Sequence, residues 1–127
     1  MGSISKKYSI QAPVQKVWEC LTDAKRIEQW SGSRCKMTNV EGSEFSLWDG
    51  DIWGKNTRVV KDKELVQDWH SGKWKSPSRV TFLLTRDGTK TILELKHTDI
   101  PDAEVKDIDS GWDDYYLEPL KLVAEGM

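Results

Sequence analysis

The stretch VTFLLTRDGTKTILEL, residues 80 to 95, alternates apolar and polar side chains on both sides of an Asp-Gly pair. Such a pair between two alternating runs is typical of a tight β-hairpin. With Asp87-Gly88 as the loop, one face carries the opposed pairs Leu84 with Thr91, Phe82 with Leu93, and Val80 with Leu95. The intervening pairs are largely polar. The sequence therefore predicts two strands with one buried face, a separation that a slip by one residue would destroy.

A second hairpin is indicated by FSLWDGDIWGK, residues 45 to 55, with Asp49-Gly50 as its turn. The count from this turn gives the pairs Leu47 with Ile52, Ser46 with Trp53, Phe45 with Gly54, and Glu44 with Lys55. Phe45, Leu47 and Ile52 then share one face, and Trp48 and Trp53 are diagonal neighbours on the reverse face. Because both faces are apolar, we expect this part of the sheet to be covered on both sides.

The N-terminal residues predict a strand and two short helices. The apolar residues Ile4, Tyr8 and Ile10 fall on one face of an extended strand. Pro13 then suits the first position of a helix, whose apolar residues are Val14, Val17, Trp18 and Leu21. Asp23 is a suitable N-cap for a second helix, which contains Ile27 and Trp30 and ends at Ser31-Gly32-Ser33.

After Pro101 the apolar residues recur at helical spacing, at Ile108, Trp112, Tyr115, Tyr116, Leu120 and Val123. Gly126 is a natural stop, and Pro119 is expected to kink the helix because it has no amide hydrogen. The fold class is thus α+β. We expect one domain over residues 1–127, with a curved antiparallel sheet of about six to seven strands gripping a long C-terminal helix and two short helices after the first strand.

Composition excludes several classes of function. Lys and Arg total 19 against 21 Asp and Glu, and no block of like charge occurs, so nucleic acid and membrane surfaces are poor partners. No apolar run is long enough to span a bilayer, and a cytoplasmic location is expected. Cys20 and Cys35 lack the spacing of a zinc site, and Asp49 and Asp51 lack the further oxygens of a calcium loop. The sequence predicts no metal and no cofactor.

A single helix covers only part of a strongly twisted sheet, so we expect an apolar cleft between the sheet and the C-terminal helix. Its candidate ligand-binding residues are Phe45, Leu47, Val80, Phe82, Leu93, Leu95, His97, Trp112, Tyr115 and Tyr116. Only one of the two adjacent tyrosines is expected to line the cleft, because neighbouring helical residues diverge. The residues between Trp69 and Trp74 are either a lid over this cleft or simple anchoring.

His97 is the best lone candidate for acid-base chemistry, because the hairpin places it on the face of Leu93 and Leu95. The alternative is a partly exposed histidine at the end of a strand, and no second catalytic group accompanies it. We therefore identify no catalytic residues.

Four segments in order resemble the family of activators of heat-shock protein 90 ATPase, in particular their C-terminal domain, within the START-like or SRPBCC superfamily. They are APVQKVWECLTD, FSLWDGDIWG, ELVQDWHSGKW and GWDDYYLEPLK. The resemblance implies the helix-grip fold. In two-domain activators of this family the N-terminal domain makes the chaperone contacts, and a chain of 127 residues has no room for it.

Three functions remain open. The first is a non-enzymatic module that binds a hydrophobic small molecule in the cleft. The second, implied by the resemblance, is a chaperone-linked interaction domain in the stress response, with Trp48 and Trp53 as the surface that contacts a chaperone or client. The third is a cyclase or aromatase-like enzyme, in which His97 and a cleft tyrosine would move protons.

Overall fold

The computed structural model of the chain describes residues 1–72 and 74–127. These residues form one antiparallel sheet of six strands, in the spatial order β1-β6-β5-β4-β3-β2. The strands are β1 (Gly2–Ile10), β2 (Glu44–Leu47), β3 (Ile52–Val60), β4 (Glu64–Ser71), β5 (Ser78–Asp87) and β6 (Lys90–Ile100). The helices are α1 (Val14–Thr22), α2 (Ala24–Ser31), α3 (Val105–Gly111) and α4 (Glu118–Glu125), with a π turn (Trp112–Leu117) joining the last two. The predicted helix-grip fold is confirmed.

The β5–β6 hairpin has the predicted faces but a different register. Val80 pairs with His97, Phe82 with Leu95 and Leu84 with Leu93, so the pairing is displaced by two residues. The loop residues are Gly88 and Thr89, since Asp87 pairs with Lys90. Only Gly88 has a positive φ, of 65°, as a turn with glycine at its first central position requires. A displacement of two preserves the side-chain period, and the apolar face is buried as predicted.

The β2–β3 hairpin has the predicted register, from Glu44 opposite Lys55 to Leu47 opposite Ile52. The prediction for Trp48 is wrong. Trp48 has a φ of 49° and has left the strand for a short 3-10 turn (Trp48–Gly50), so its side chain packs against the core aromatics Trp30 and Tyr116 instead of the reverse face. Trp53 alone lies on the outer face, where it is 42% exposed and stacks on His70.

Helices α1 and α2 follow β1 as predicted. The apolar residues predicted for α1 are all buried, namely Val14, Val17, Trp18 and Leu21. The Asp23 carboxylate caps α2 by accepting a hydrogen bond from the backbone amide of Lys25, and Gly32 ends the helix in the left-handed conformation. None of the described helices is long and apolar enough to cross a membrane.

The C-terminal helix is irregular just before Pro119, where the sequence predicts a kink. The irregularity is the π turn, and Pro119 lies in the first turn of α4. A π turn is wider than an α turn, because its hydrogen bonds join residues five apart. Trp112, Tyr116 and Leu117 are all buried as a result, whereas Tyr115 is 67% exposed.

A polar cluster ties this helix to the edge strand β1. The Lys6 ammonium donates to Asp109 Oδ1 and to Asp113 Oδ2, each at 2.8 Å. The Tyr8 hydroxyl donates to Asp113 Oδ1 at 2.6 Å. Hydrogen bonds from Lys6 and Tyr8 hold the pKa of Asp113 below its ordinary value of 3.8. The cluster therefore favours the ionised carboxylate and the docked helix together.

We expect Asp113→Asn to lower the free energy of unfolding by about 1 kcal/mol at neutral pH, a small value because the carboxylate is 40% exposed and screened by solvent. The pKa of Asp113 is lower in the folded than in the unfolded state. Its contribution is therefore complete above pH 3.8 and is lost as the pH falls through the folded pKa. Urea unfolding across this range measures both effects.

The control is Asp114→Asn, since Asp114 is the exposed neighbour on the same turn. It should change neither the stability nor its acid dependence. Identical acid sensitivity in Asp113→Asn and the unmodified protein would contradict the assigned role of the cluster.

Candidate functional site

A cavity of about 460 Å³ lies between the C-terminal helix, the Trp48–Gly50 turn and strand β4. Five of its eleven described lining residues are aromatic, namely Trp48, Trp69, Trp112, Tyr115 and Tyr116. The aliphatic residues are Ile52 and Ile108, and Gly111 leaves the wall without a side chain. Ser33, Asp51 and Asp107 are its polar residues. This size and lining are typical of a site for a small organic ligand.

The aromatic wall is itself part of the hydrophobic core. Trp69 and Trp112 stack with ring centroids 4.8 Å apart, and Tyr116 lies 4.7 Å from Trp112. Phe82, on strand β5, stacks against Tyr116 with ring centroids 5.6 Å apart. Aromatic pairs at such distances stabilise by about 0.5–1.5 kcal/mol beyond the area they bury. Trp69, Trp112 and Tyr116 are therefore packed in place before any ligand arrives.

The turn at the cavity mouth has an unusual backbone. Trp48, Asp49 and Gly50 are consecutive residues with φ values of 49°, 55° and 96°. A left-handed conformation is rare for tryptophan and costs on the order of 1–3 kcal/mol. The Asp49 amide bonds to the Arg34 carbonyl at 2.8 Å, and the Trp48 indole packs edge-on against Tyr116. These contacts offset the strain and direct Trp48 toward the cavity.

His97 lies behind this wall. It is fully buried, and its Nδ1 accepts a hydrogen bond from the Trp112 indole at 3.0 Å. Its Nε2 lies 2.7 Å from the Ser78 hydroxyl, and because Nδ1 is an acceptor, the neutral tautomer carries its proton on Nε2. Burial lowers the pKa of His97 from 6.5 to about 4. Both ring nitrogens of His97 therefore take part in hydrogen bonds within the core.

A second buried network was not predicted from the sequence. The Trp69 indole donates to Gln67 Oε1 at 2.8 Å, and Gln67 Nε2 donates to Asn56 Oδ1 at 2.9 Å. Asn56 in turn donates to the Thr38 carbonyl. The available signal was Gln67 itself, which stands between Leu65 and Trp69 on the inward face of β4. A polar residue at that position requires a buried partner.

The structure separates the predicted ligand-binding residues into two groups. Only Trp112, Tyr115 and Tyr116 line the cavity. The others lie in the closed core and do not line it: Phe45, Leu47, Val80, Phe82, Leu93, Leu95 and His97. Both tyrosines line the cavity, in contrast to the expectation, because buried Tyr116 forms the wall and exposed Tyr115 the rim. The expectation of a partly exposed histidine is also wrong, since His97 has no exposed surface.

Trp48, predicted for an interaction surface, instead lines the cavity, whereas Trp53 remains on the outer face. The predicted lid between Trp69 and Trp74 includes Lys73, so that prediction lies outside the described residues. Within the described chain, no group of three or more His, Cys, Asp or Glu side chains is placed to hold a metal ion. The chemistry available at the cavity is thus aromatic contact with two carboxylates at its mouth.

A curved antiparallel sheet that grips a C-terminal helix, with a cavity between them, defines the helix-grip class of START-like domains. Known proteins share this architecture. An HSP90 activator from Plasmodium falciparum, PFC0360w, superimposes with a TM-score of 0.89 at 24% identity, over 95% of this chain and 94% of that one. CalU16 from Micromonospora echinospora superimposes with a TM-score of 0.85 at 30% identity, over 96% and 75%.

The sequence itself matches the family described as Activator of Hsp90 ATPase homolog 1-like protein over residues 11–125. The chain therefore belongs to that family, as its resemblance implied. The activator of 90 kDa heat shock protein ATPase homolog from Dictyostelium discoideum is 27% identical over 122 residues, which are 94% of this chain and 32% of that protein. The chain spans about a third of the length of the curated relatives it matches.

The buried His97 predicts a distinct pH dependence of stability. Because its pKa is lower in the folded than in the unfolded state, the unfolded chain binds more protons between pH 6.5 and about 4. Stability should be complete above pH 6.5 and fall as the pH decreases toward 4. His97→Phe should remove this slope and lower the free energy of unfolding by about 1–3 kcal/mol, because the buried Trp112 indole N–H is left unpaired.

Chemical unfolding at a series of pH values measures both effects. His70→Gln is the control, since His70 lies on the outer face against Trp53, and the slope should persist in it. A slope of unchanged size in His97→Phe would show that another group is responsible.

Proposed function

We propose that the domain binds a hydrophobic small molecule, without catalysing a reaction, in the cavity between its C-terminal helix and the Trp48–Gly50 turn. The single observation that carries this proposal is the 460 Å³ cavity with its aromatic lining. A concave and largely apolar space of this size, with a few polar groups among its lining residues, is the usual form of a small-ligand site. Trp69, Trp112 and Tyr116 are also packed in place, which reduces the entropic cost of binding.

The absence of a histidine from the described cavity wall favours binding over the cyclase-like alternative. His97 is separated from the cavity by Trp112, to which it is hydrogen-bonded. We propose that His97 positions the Trp112 indole and does not contact a ligand. The cytoplasmic location remains a prediction of the sequence.

A side chain at Gly111 tests the binding site directly. A Cβ at this position meets only the Tyr115 ring, at an ordinary 3.9 Å, so a larger residue is tolerated by the backbone and extends into the cavity. We expect Gly111→Leu to fold and to lose about tenfold or more in affinity for aromatic alcohols, because it fills the space they would occupy. The indole N–H resonances in nitrogen-15 NMR spectra report the titration.

The matched control is Ser110→Leu, which adds the same side chain at an exposed position outside the cavity wall. It should bind like the unmodified protein. Failure of the unmodified protein to respond to any hydrophobic ligand, or equal binding by Gly111→Leu, would contradict the proposed site.

A second candidate is an interaction with a chaperone of the Hsp90 class. It is supported by the family and by relatives that are named as activators of the 90 kDa heat shock protein ATPase. On this chain, Trp53 and His70 form the outer aromatic surface, with ring centroids 5.8 Å apart. Exposed tryptophans are enriched among residues that dominate the energy of protein interfaces.

For this candidate, we expect Trp53→Ala to weaken binding of purified Hsp90 by about tenfold, because truncating an interface tryptophan often costs more than 1 kcal/mol. Isothermal calorimetry measures the affinity. Leu122→Ala is the control, since Leu122 is an exposed apolar residue on α4, away from the outer face of the sheet. Unchanged affinity in Trp53→Ala would remove this surface from consideration.

A further inference from the structure

The cavity combines an aromatic wall with carboxylates and thereby selects among hydrophobic ligands. Resting on the proposed ligand-binding function, we propose that its ligand is an organic ammonium cation with apolar substituents, held by the indole rings and by Asp51 and Asp107. Three separate features of the cavity support this proposal.

The first feature is the orientation of the indoles. The Trp112 N–H is hydrogen-bonded to His97 and the Trp69 N–H to Gln67. Neither donor is available to a ligand. Trp69 and Trp112 are 4% and 2% exposed, so these two residues offer the cavity only a small area of ring carbon. An ammonium group over the face of a tryptophan is attracted by the ring quadrupole, most strongly where water is excluded. A ligand rich in hydrogen-bond acceptors gains no such partner from them.

The second feature is the charge at the mouth. Asp51 follows the Trp48–Gly50 turn and Asp107 lies on α3, so the two exposed carboxyl-bearing residues come from different elements of the cavity wall. Neither forms an ion pair within residues 1–72 and 74–127. By contrast, Asp109 and Asp113 on the same helix are both paired with Lys6. Within that part of the chain, the negative charges of the two cavity carboxylates are therefore not paired.

The third feature is the lack of an opposing cation in the described wall. Asp51 and Asp107 are the charged residues among the described lining, and both are acidic. Negative potential at a low-dielectric opening attracts cations and repels anions, which disfavours fatty acids and other carboxylates. A neutral apolar ligand would fill the space but gain nothing from either aspartate. A cation with apolar substituents satisfies the rings and the carboxylates together.

The test uses two ligands of equal shape that differ in charge, (4-hydroxyphenyl)trimethylammonium and 4-tert-butylphenol. They exchange a quaternary nitrogen for a carbon atom, so their shape and volume are nearly matched. The cation is the more strongly hydrated of the two, so tighter binding of the cation requires attraction by the site. Calorimetric titration of the full chain should give about tenfold tighter binding of the cation. Asp51→Asn and Asp107→Asn should each weaken binding of the cation more than that of the neutral phenol, and the exposed Asp114→Asn should preserve the preference.

The outcomes distinguish this inference from the function on which it rests. Equal affinity for both ligands, or tighter binding of the neutral phenol, would overturn the cation preference and leave the hydrophobic cavity intact. Binding of neither ligand would overturn both. A cation preference that survives in Asp51→Asn and in Asp107→Asn would also overturn the assignment, because the carboxylates would then play no part.

Discussion

The packing of Trp112 and Tyr116 against the concave face of the sheet is the contact on which the rest of the structure depends. The inner face of β4, β5 and β6 is apolar and must be covered, and a regular α-helix presents only a narrow stripe to a curved surface. The π turn widens that stripe, so that Trp112, Tyr116 and Leu117 are buried together. The hydrogen bond from Trp112 to His97 then fixes the rotation of the helix against β6.

This arrangement also determines the chemistry of the cavity. Since the indole N–H groups of Trp69 and Trp112 are satisfied inside the core, these two rings offer a ligand no hydrogen-bond donor. Leaving either N–H unsatisfied would cost about 1–3 kcal/mol, so the buried partners His97 and Gln67 contribute to stability as well as to the shape of the site. A residue that resembles an acid-base catalyst in sequence can thus serve as a hydrogen-bond acceptor for the core.

The sequence predicted which face of each hairpin strand is buried, but it did not predict which residues pair across the β5–β6 hairpin. Alternation correctly placed Val80, Phe82 and Leu95 in the core, because the side-chain period survives a displacement of two residues. It did not determine the register, since an Asp-Gly pair is compatible with aspartate inside the loop or flanking it. For Trp48 the pattern failed because a left-handed residue no longer obeys the alternation of a strand. Periodicity also identified an inner face without showing that the helix fills most of it.

The cavity persists where the helix lacks the side chain that would close it. Gly111 immediately precedes Trp112 and lines the space, whereas the next turn supplies the buried ring of Tyr116. On the opposite side, β2 has only four residues and is followed by the strained Trp48–Gly50 turn, so the sheet does not extend over the opening. Different residues therefore pack the helix against the sheet and surround the opening of the cavity. Under the proposed function, the aromatic core can hold the fold while the residues at the mouth select the ligand.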